Sequence, residues 1–145
     1  MTMPKPALLW LKYGDGWVPA AGDADGKLLV SGVGGTVVKT FTWVISSPAV
    51  GGVLGPRLRS AMTVTRIDAY VRAATSVTFN IEERSTIGSA GTNILSSDMA
   101  ADVNGETATS FADPDLAAGN WLYLDISAVS GTPGQVVVTL SCTVP

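Results

Sequence analysis

The chain has no histidine and a single cysteine in 145 residues. Without histidine there is no Ser-His-Asp or Cys-His nucleophile, and most zinc sites lose their usual ligands. The lone Cys142 cannot close an internal disulfide. It falls in register with Val136, Val138, Leu140 and Val144, which reads as a small core hydrophobe. Charge is scarce as well: Asp, Glu, Lys and Arg together make up 14%. With a mean hydropathy of +0.33, this excludes the disordered class, which combines low hydrophobicity with high net charge. It also points to apolar surface covered by partner subunits. No run approaches the ~20 apolar residues of a membrane span. The apolar stretch at 7–11 is too short for the core of a signal peptide. The expectation is a protein made and assembled in a cytoplasm, without a membrane partner.

Basic residues are missing from everything after Arg84. Residues 1–84 hold nine bases and six acids, a balance of +3, and residues 85–145 hold six acids and no base, −6. The split suggests a polar molecule with one end suited to an acidic partner. No Lys/Arg cluster is dense enough for nucleic acid.

What is present is β-pattern. In residues 63–84, Ile67, Ala69 and Val71 alternate with Arg66, Asp68, Tyr70 and Arg72. Val77, Phe79 and Ile81 then alternate with Thr78, Asn80 and Glu82. A period of two over this length predicts strands with one buried and one wet face. The polar step Ala74-Thr75-Ser76 suits a hairpin, expected at the centre of the fold. Residues 121–126 place Leu122, Leu124 and Ile126 inward, with Trp121, Tyr123 and Asp125 outward. Residues 130–134 read as a hairpin turn into a last strand with Val136, Val138, Leu140 and Cys142 inward. Val37, Phe41, Trp43 and Ile45 share a parity in an earlier strand. Residues 46–60 read as a Gly/Pro binding or interface loop carrying Arg57 and Arg59. Residues 93–101 read as a short strand or one helical turn, and 106–111 as a brief strand. About eight strands from residue 36 onward, with no convincing helix, predict an all-β fold. The expected architecture is an antiparallel two-sheet β-sandwich, jelly-roll-like or a related Greek key, with an N-terminal β-hairpin arm.

That arm occupies residues 1–30, and the sandwich residues 31–145. Three of the ten aromatics, Trp10, Tyr13 and Trp17, fall in the first 17 residues. Turns are expected at 14–16 and 23–26, and a flexible joint at 31–35. Small hairpins are marginal alone, so this segment must pack on its own sandwich, a neighbouring subunit or a separate partner. Trp10, Lys12, Tyr13 and Trp17 are the candidate residues for such a contact. Tyr70, Trp121, Tyr123, Arg57 and Arg59 form a second candidate set, an oligomer interface or an exposed aromatic face.

Three apparent motifs carry no chemistry. Glu82 and Glu83 are neighbours on a strand, point to opposite faces and cannot work as a paired acid and base. Asp23-Ala24-Asp25-Gly26 opens like a calcium loop, but Gly34 stands where the closing Glu belongs. Gly32-Val33-Gly34-Gly35 lacks the Lys-Ser/Thr continuation of a phosphate loop. The expectation is no catalytic residue, no metal and no cofactor.

The segment YGDGWVPAAGDADGKLLV resembles one near the start of tailed-phage virion proteins. The blocks FTWVISSP, RIDAYVRAATSVTFNIEER and AAGNWLYLDISAVSGTPGQVVVTLSCTV resemble the β-sandwich domains of phage head-decoration and head-fibre proteins. Similar domains occur at tail-fibre tips. The resemblance implies a non-enzymatic capsid decoration (cement) protein on the virion surface. It implies a homotrimer whose partner is the major capsid protein, attached through the N-terminal aromatics. The alternative it leaves is a receptor- or carbohydrate-binding module of a fibre tip, with Trp121 and Tyr123 in the site.

Overall fold

The computed structural model describes the backbone of residues 10–13, 16–19, 21–22 and 28–29, and residues 36–73 and 75–145 in full. The chain divides into two units, Met1–Gly35 and Thr36–Pro145. In the first, β1 (Trp10–Tyr13) pairs antiparallel with β2 (Gly16–Pro19), and β3 (Ala21–Gly22) with β4 (Leu28–Leu29). Lys12 stands opposite Trp17 on this backbone, and Trp10 opposite Pro19. The side chains of Trp10, Lys12, Tyr13 and Trp17 lie outside the described residues. So do residues 1–6, 14–15, 23–26 and 31–35, where the arm, the turns and the joint were expected.

The second unit is all β among its described residues. Its long strands are β5 (Val37–Ser46), β6 (Gly51–Arg57), β7 (Met62–Arg72), β8 (Thr75–Arg84), β13 (Trp121–Gly131) and β14 (Gln135–Val144). Four short ones lie between: β9 (Thr92–Asn93), β10 (Met99–Ala101), β11 (Glu106–Ala108) and β12 (Asp115–Leu116). One sheet runs β6-β13-β8, with β9 and β10 sharing the far side of β8. The other runs β5-β14-β7, with β11 and β12 sharing the far side of β7. Taking each short pair as one position, this is the strand order of a jelly roll, as the alternation and strand number predict. Every ladder of the unit joins a strand between 37 and 84 to one between 92 and 144.

The core fills the space between the sheets. Ile67 and Val71 from β7, and Val136, Val138 and Leu140 from β14, come from one side. Val77, Phe79 and Ile81 from β8, and Leu122, Leu124 and Ile126 from β13, come from the other. Cys142 is buried among them. Burial pushes its thiol up to about 11, so it stays protonated at neutral pH.

Three expectations are corrected. Residues 63–84 are not a hairpin: β7 and β8 are both present, but they lie in different sheets and pair with different partners. The link between them turns a corner, with Ala73 in the left-handed region at φ 66°. Alternation records which side chains face inward, and is silent on whether the next strand returns beside or across the core. For the same reason 130–134 is no hairpin turn, since β13 and β14 also lie in different sheets. Finally, the expected loop 46–60 contains β6. A Cβ at Gly52 would overlap the Tyr123 side chain, and one at Gly55 would press on Trp43 and Leu122. Pro56 sits on this edge strand within a register shift, where proline is tolerated.

Candidate interaction surface

The end of the sandwich where β6 finishes and β13 begins is fixed by a chain of hydrogen bonds. Leu58 donates its N–H to Asn120 O at 2.8 Å, and Gly119 donates to Leu58 O at 2.8 Å. Glu83 Oε1 accepts from Ala117 N at 2.6 Å and from Asn120 Nδ2 at 3.0 Å. Arg57 Nε donates to Gly119 O at 2.8 Å. These bonds place Arg57, Leu58, Arg59, Gly119 and Trp121 around one open groove. Three residues of the second candidate set, Arg57, Arg59 and Trp121, are thereby brought together.

Tyr123 lies on the same outer sheet face but is closed in. The Arg84 guanidinium stacks 3.4 Å from its ring centroid, while Arg84 Nε bonds Glu82 Oε2 at 2.7 Å. Its hydroxyl end lies over Gly52. Further along this face Asn80 is buried, although it stands on the outward parity. Its Oδ1 accepts from Ile81 N at 2.9 Å and Leu95 N at 3.1 Å. Its Nδ2 donates to Leu95 O at 3.3 Å and Asp98 Oδ1 at 3.1 Å. Ser127 is the extra residue at a register shift in β13, and its hydroxyl bonds Asp98 Oδ2 at 2.6 Å. The segment 94–98 is thus bolted over the β8–β13 face.

No protein-family model matches the chain, and no curated protein matches it. Among solved structures, a chain of the cyanophage Pam1 capsid asymmetric unit aligns over 88% of this chain and 100% of its own. The identity is 19% and the TM-score 0.44.

The other sheet presents a different exterior. Cross-strand rows run Val44–Val137–Tyr70, Thr42–Thr139–Asp68, Thr40–Ser141–Arg66 and Val38–Thr143–Thr63. On β5 and β14 this face is Val, Thr and Ser, with Gln135 at its end beside Ser46. Val38 is 64% exposed and Val44 59%. Tyr70 is 47% exposed and belongs here, apart from the other four residues of its candidate set. Charge enters at β7 and beyond it, where Asp115 of β12 accepts from the Thr63 hydroxyl at 3.0 Å. Arg66 Nε donates to both Asp68 oxygens, at 2.8 and 2.7 Å, and the Thr107 hydroxyl donates to Asp68 Oδ1 at 2.7 Å. Partial burial alone would raise the Asp68 carboxyl, but Thr107 and Arg66 outweigh it and hold the group below its usual value.

Between β5 and β6 the sandwich is open along a seam lined by Thr40, Phe41, Thr42, Trp43, Leu54, Gly55 and Pro56. The indole N–H of Trp43 is buried there without an acceptor among the described residues. The sequence reading missed this seam and the uncharged face. The available signal was Val38 and Val44, apolar on the outward parity of β5. Among the described residues no group of three or more His, Cys, Asp or Glu is placed to hold a metal ion.

Proposed function

We propose that this chain is a non-enzymatic structural protein of a phage virion, a capsid decoration protein that binds and stabilises the head shell as an oligomer. The observation that carries the reading is the uncharged Val/Thr/Ser face of β5 and β14, a broad assembly surface with no polar groups arranged for chemistry. The sequence supports it further. It lacks histidine, its carboxylates Glu82 and Glu83 do not form a working pair, and its aromatic arm precedes the body. The jelly roll would serve as a rigid block, with the arm residues Trp10, Lys12, Tyr13 and Trp17 engaging the major capsid protein. Apolar burial at about 25 cal/mol/Å² supplies the stabilisation, so none of the steps needs a cofactor.

The test is co-sedimentation with heads. The full chain should bind and raise the heat resistance of the particles. Removing residues 1–30 should abolish binding while the body stays folded by circular dichroism. Undiminished binding by the truncated protein overturns the role given to the arm. A second reading, a fibre-tip module for an acidic glycan, is favoured by the groove in which Arg57 and Arg59 flank Trp121. It requires saturable glycan binding that Trp121→Ala removes.

A further inference from the structure

The body has four sheet edges, and three of them are blunted. The far sides of β7 and β8 are covered by strands of two or three residues. β6 carries Gly51, Gly52, Gly55 and Pro56 and a register shift. Such devices stop an edge from pairing with another chain. The fourth edge has none of them. β5 runs ten residues, pairs in unbroken register with β14 alone among the described residues, contains no proline and carries one charge, Lys39.

The backbone shows which groups this edge offers. Ser47 donates its N–H to Gly134 O at 2.9 Å, one step beyond the ladder. Partners alternate in an antiparallel pair, so Phe41, Trp43 and Ile45 bond β14. Val38, Thr40, Thr42 and Val44 then direct their N–H and C=O groups off the free edge. Beside them lies the open seam, where the Trp43 indole N–H has no acceptor among the described residues.

The strand also specifies what would cover it. Residues 37–45 read VVKTFTWVI, a near-palindrome about Phe41. We infer that β5 is the pairing edge of a two-fold dimer, in which β5 of a second copy adds antiparallel with Phe41 on the axis. In that register Val38 meets Val44, Thr40 meets Thr42 and Val37 meets Ile45, so like faces like along both sides of the strand. Lys39 meets Trp43 of the second copy, an aromatic and not another cation. The two Lys39 positions stand four residues apart, about 13 Å, beyond the screening length at physiological salt. A two-fold contact needs this self-complementarity, because the same patch serves both partners. About eight backbone hydrogen bonds would form, and the two β5–β14 faces would join into one uncharged surface. The resemblance implied three copies; this edge implies two.

The full chain should therefore have the mass of two chains by light scattering. Val38→Lys with Val44→Lys places lysines opposite lysines twice across the axis, on side chains that are exposed in the body. It should weaken the dimer about tenfold or more and yield a folded single chain. Val38→Glu with Val44→Lys keeps polar side chains at both positions but pairs opposite charges, and should restore the two-chain mass. Phe41→Cys should cross-link two chains under mild oxidation, since directly opposed Cα atoms of this kind lie about 4.5 Å apart, within disulfide range. A single-chain or three-chain mass for the parent protein, an unaffected lysine pair, or no cross-link overturns the inference. The inference stands apart from the capsid reading. A dimer that binds no particle removes that reading alone, and particle binding by a single chain removes this one alone.

Discussion

The two sheets of the body bury similar inner faces and treat their outer faces oppositely. Over β8 and β13 the exterior is sealed: segment 94–98 is bolted down through Asn80 and Ser127, and Tyr123 is held between Arg84 and Gly52. Over β5 and β14 no described residue of the second unit lies on the sheet, and the side chains there are uncharged and mostly Val and Thr. Each fixed polar group on the first face costs chain entropy to order and is offset by hydrogen bonds made inside the molecule. The second face makes few such bonds. It can meet another surface without breaking internal ones. The lesson is that bareness beside a sealed counterpart is the contrast on which the proposed association rests.

The largest effect expected from testing this contrast is on Asn80. Asn80→Ala strips partners from Leu95 N and Ile81 N in a buried place and should cost about 3 kcal/mol in chemical denaturation. Ser141→Ala, on the bare face, should stay within about 0.5 kcal/mol. Equal costs would erase the distinction between the two faces. A smaller effect, of opposite sign, is expected at the corner that joins the sheets. Ala73 holds φ 66°, so Ala73→Gly should raise stability by about 0.5–1 kcal/mol, read as a higher denaturation midpoint. A loss there would mean that the Ala73 methyl packs usefully.

The smallest effect concerns Asp68, among the described residues the only carboxylate on the bare sheet held by a guanidinium. Its folded-state value lies below the ordinary 3.8. Its contribution to stability is therefore present above the unfolded value and lost as pH falls through the folded one. Asp68→Asn should flatten the fall in denaturation midpoint below about pH 4 and leave neutral stability nearly unchanged, because the pair is largely exposed. An identical acid slope would show that Arg66 and Thr107 do not matter to the fold.

Much of the architecture was legible because alternation is a direct imprint of burial. β7, β8, β13 and β14 sit where Ile67, Phe79, Leu124 and Val138 place them. Pairing was not legible. The stretches 74–76 and 130–134 look like hairpin connections in one dimension, yet each joins strands of different sheets. β6 was hidden because its glycines are demanded by Tyr123 and Trp43, which approach it only after folding. Asn80 read as a wet-face residue, since nothing local shows that 94–98 will cover it. Arg57, Arg59 and Trp121 were each visible as candidates. Their convergence depends on the bonds among Leu58, Gly119 and Asn120.

The ladder arrangement also bears on how the protein is born. No strand between 37 and 84 has a hydrogen-bonded partner within that stretch. While the ribosome is still making the chain, β5 and β6 must therefore wait, unpaired, until residues 121–144 have been synthesised, and before then β7 and β8 meet only the short strands between 92 and 116. Folding of this body is then a late event, slow because its contacts are distant in sequence. The waiting half is the form most exposed to aggregation and most in need of a chaperone. A break in the 85–91 turn would leave two fragments that cannot fold separately. Each would carry the full complement of strands the other lacks, so that mixing them should regenerate the jelly roll.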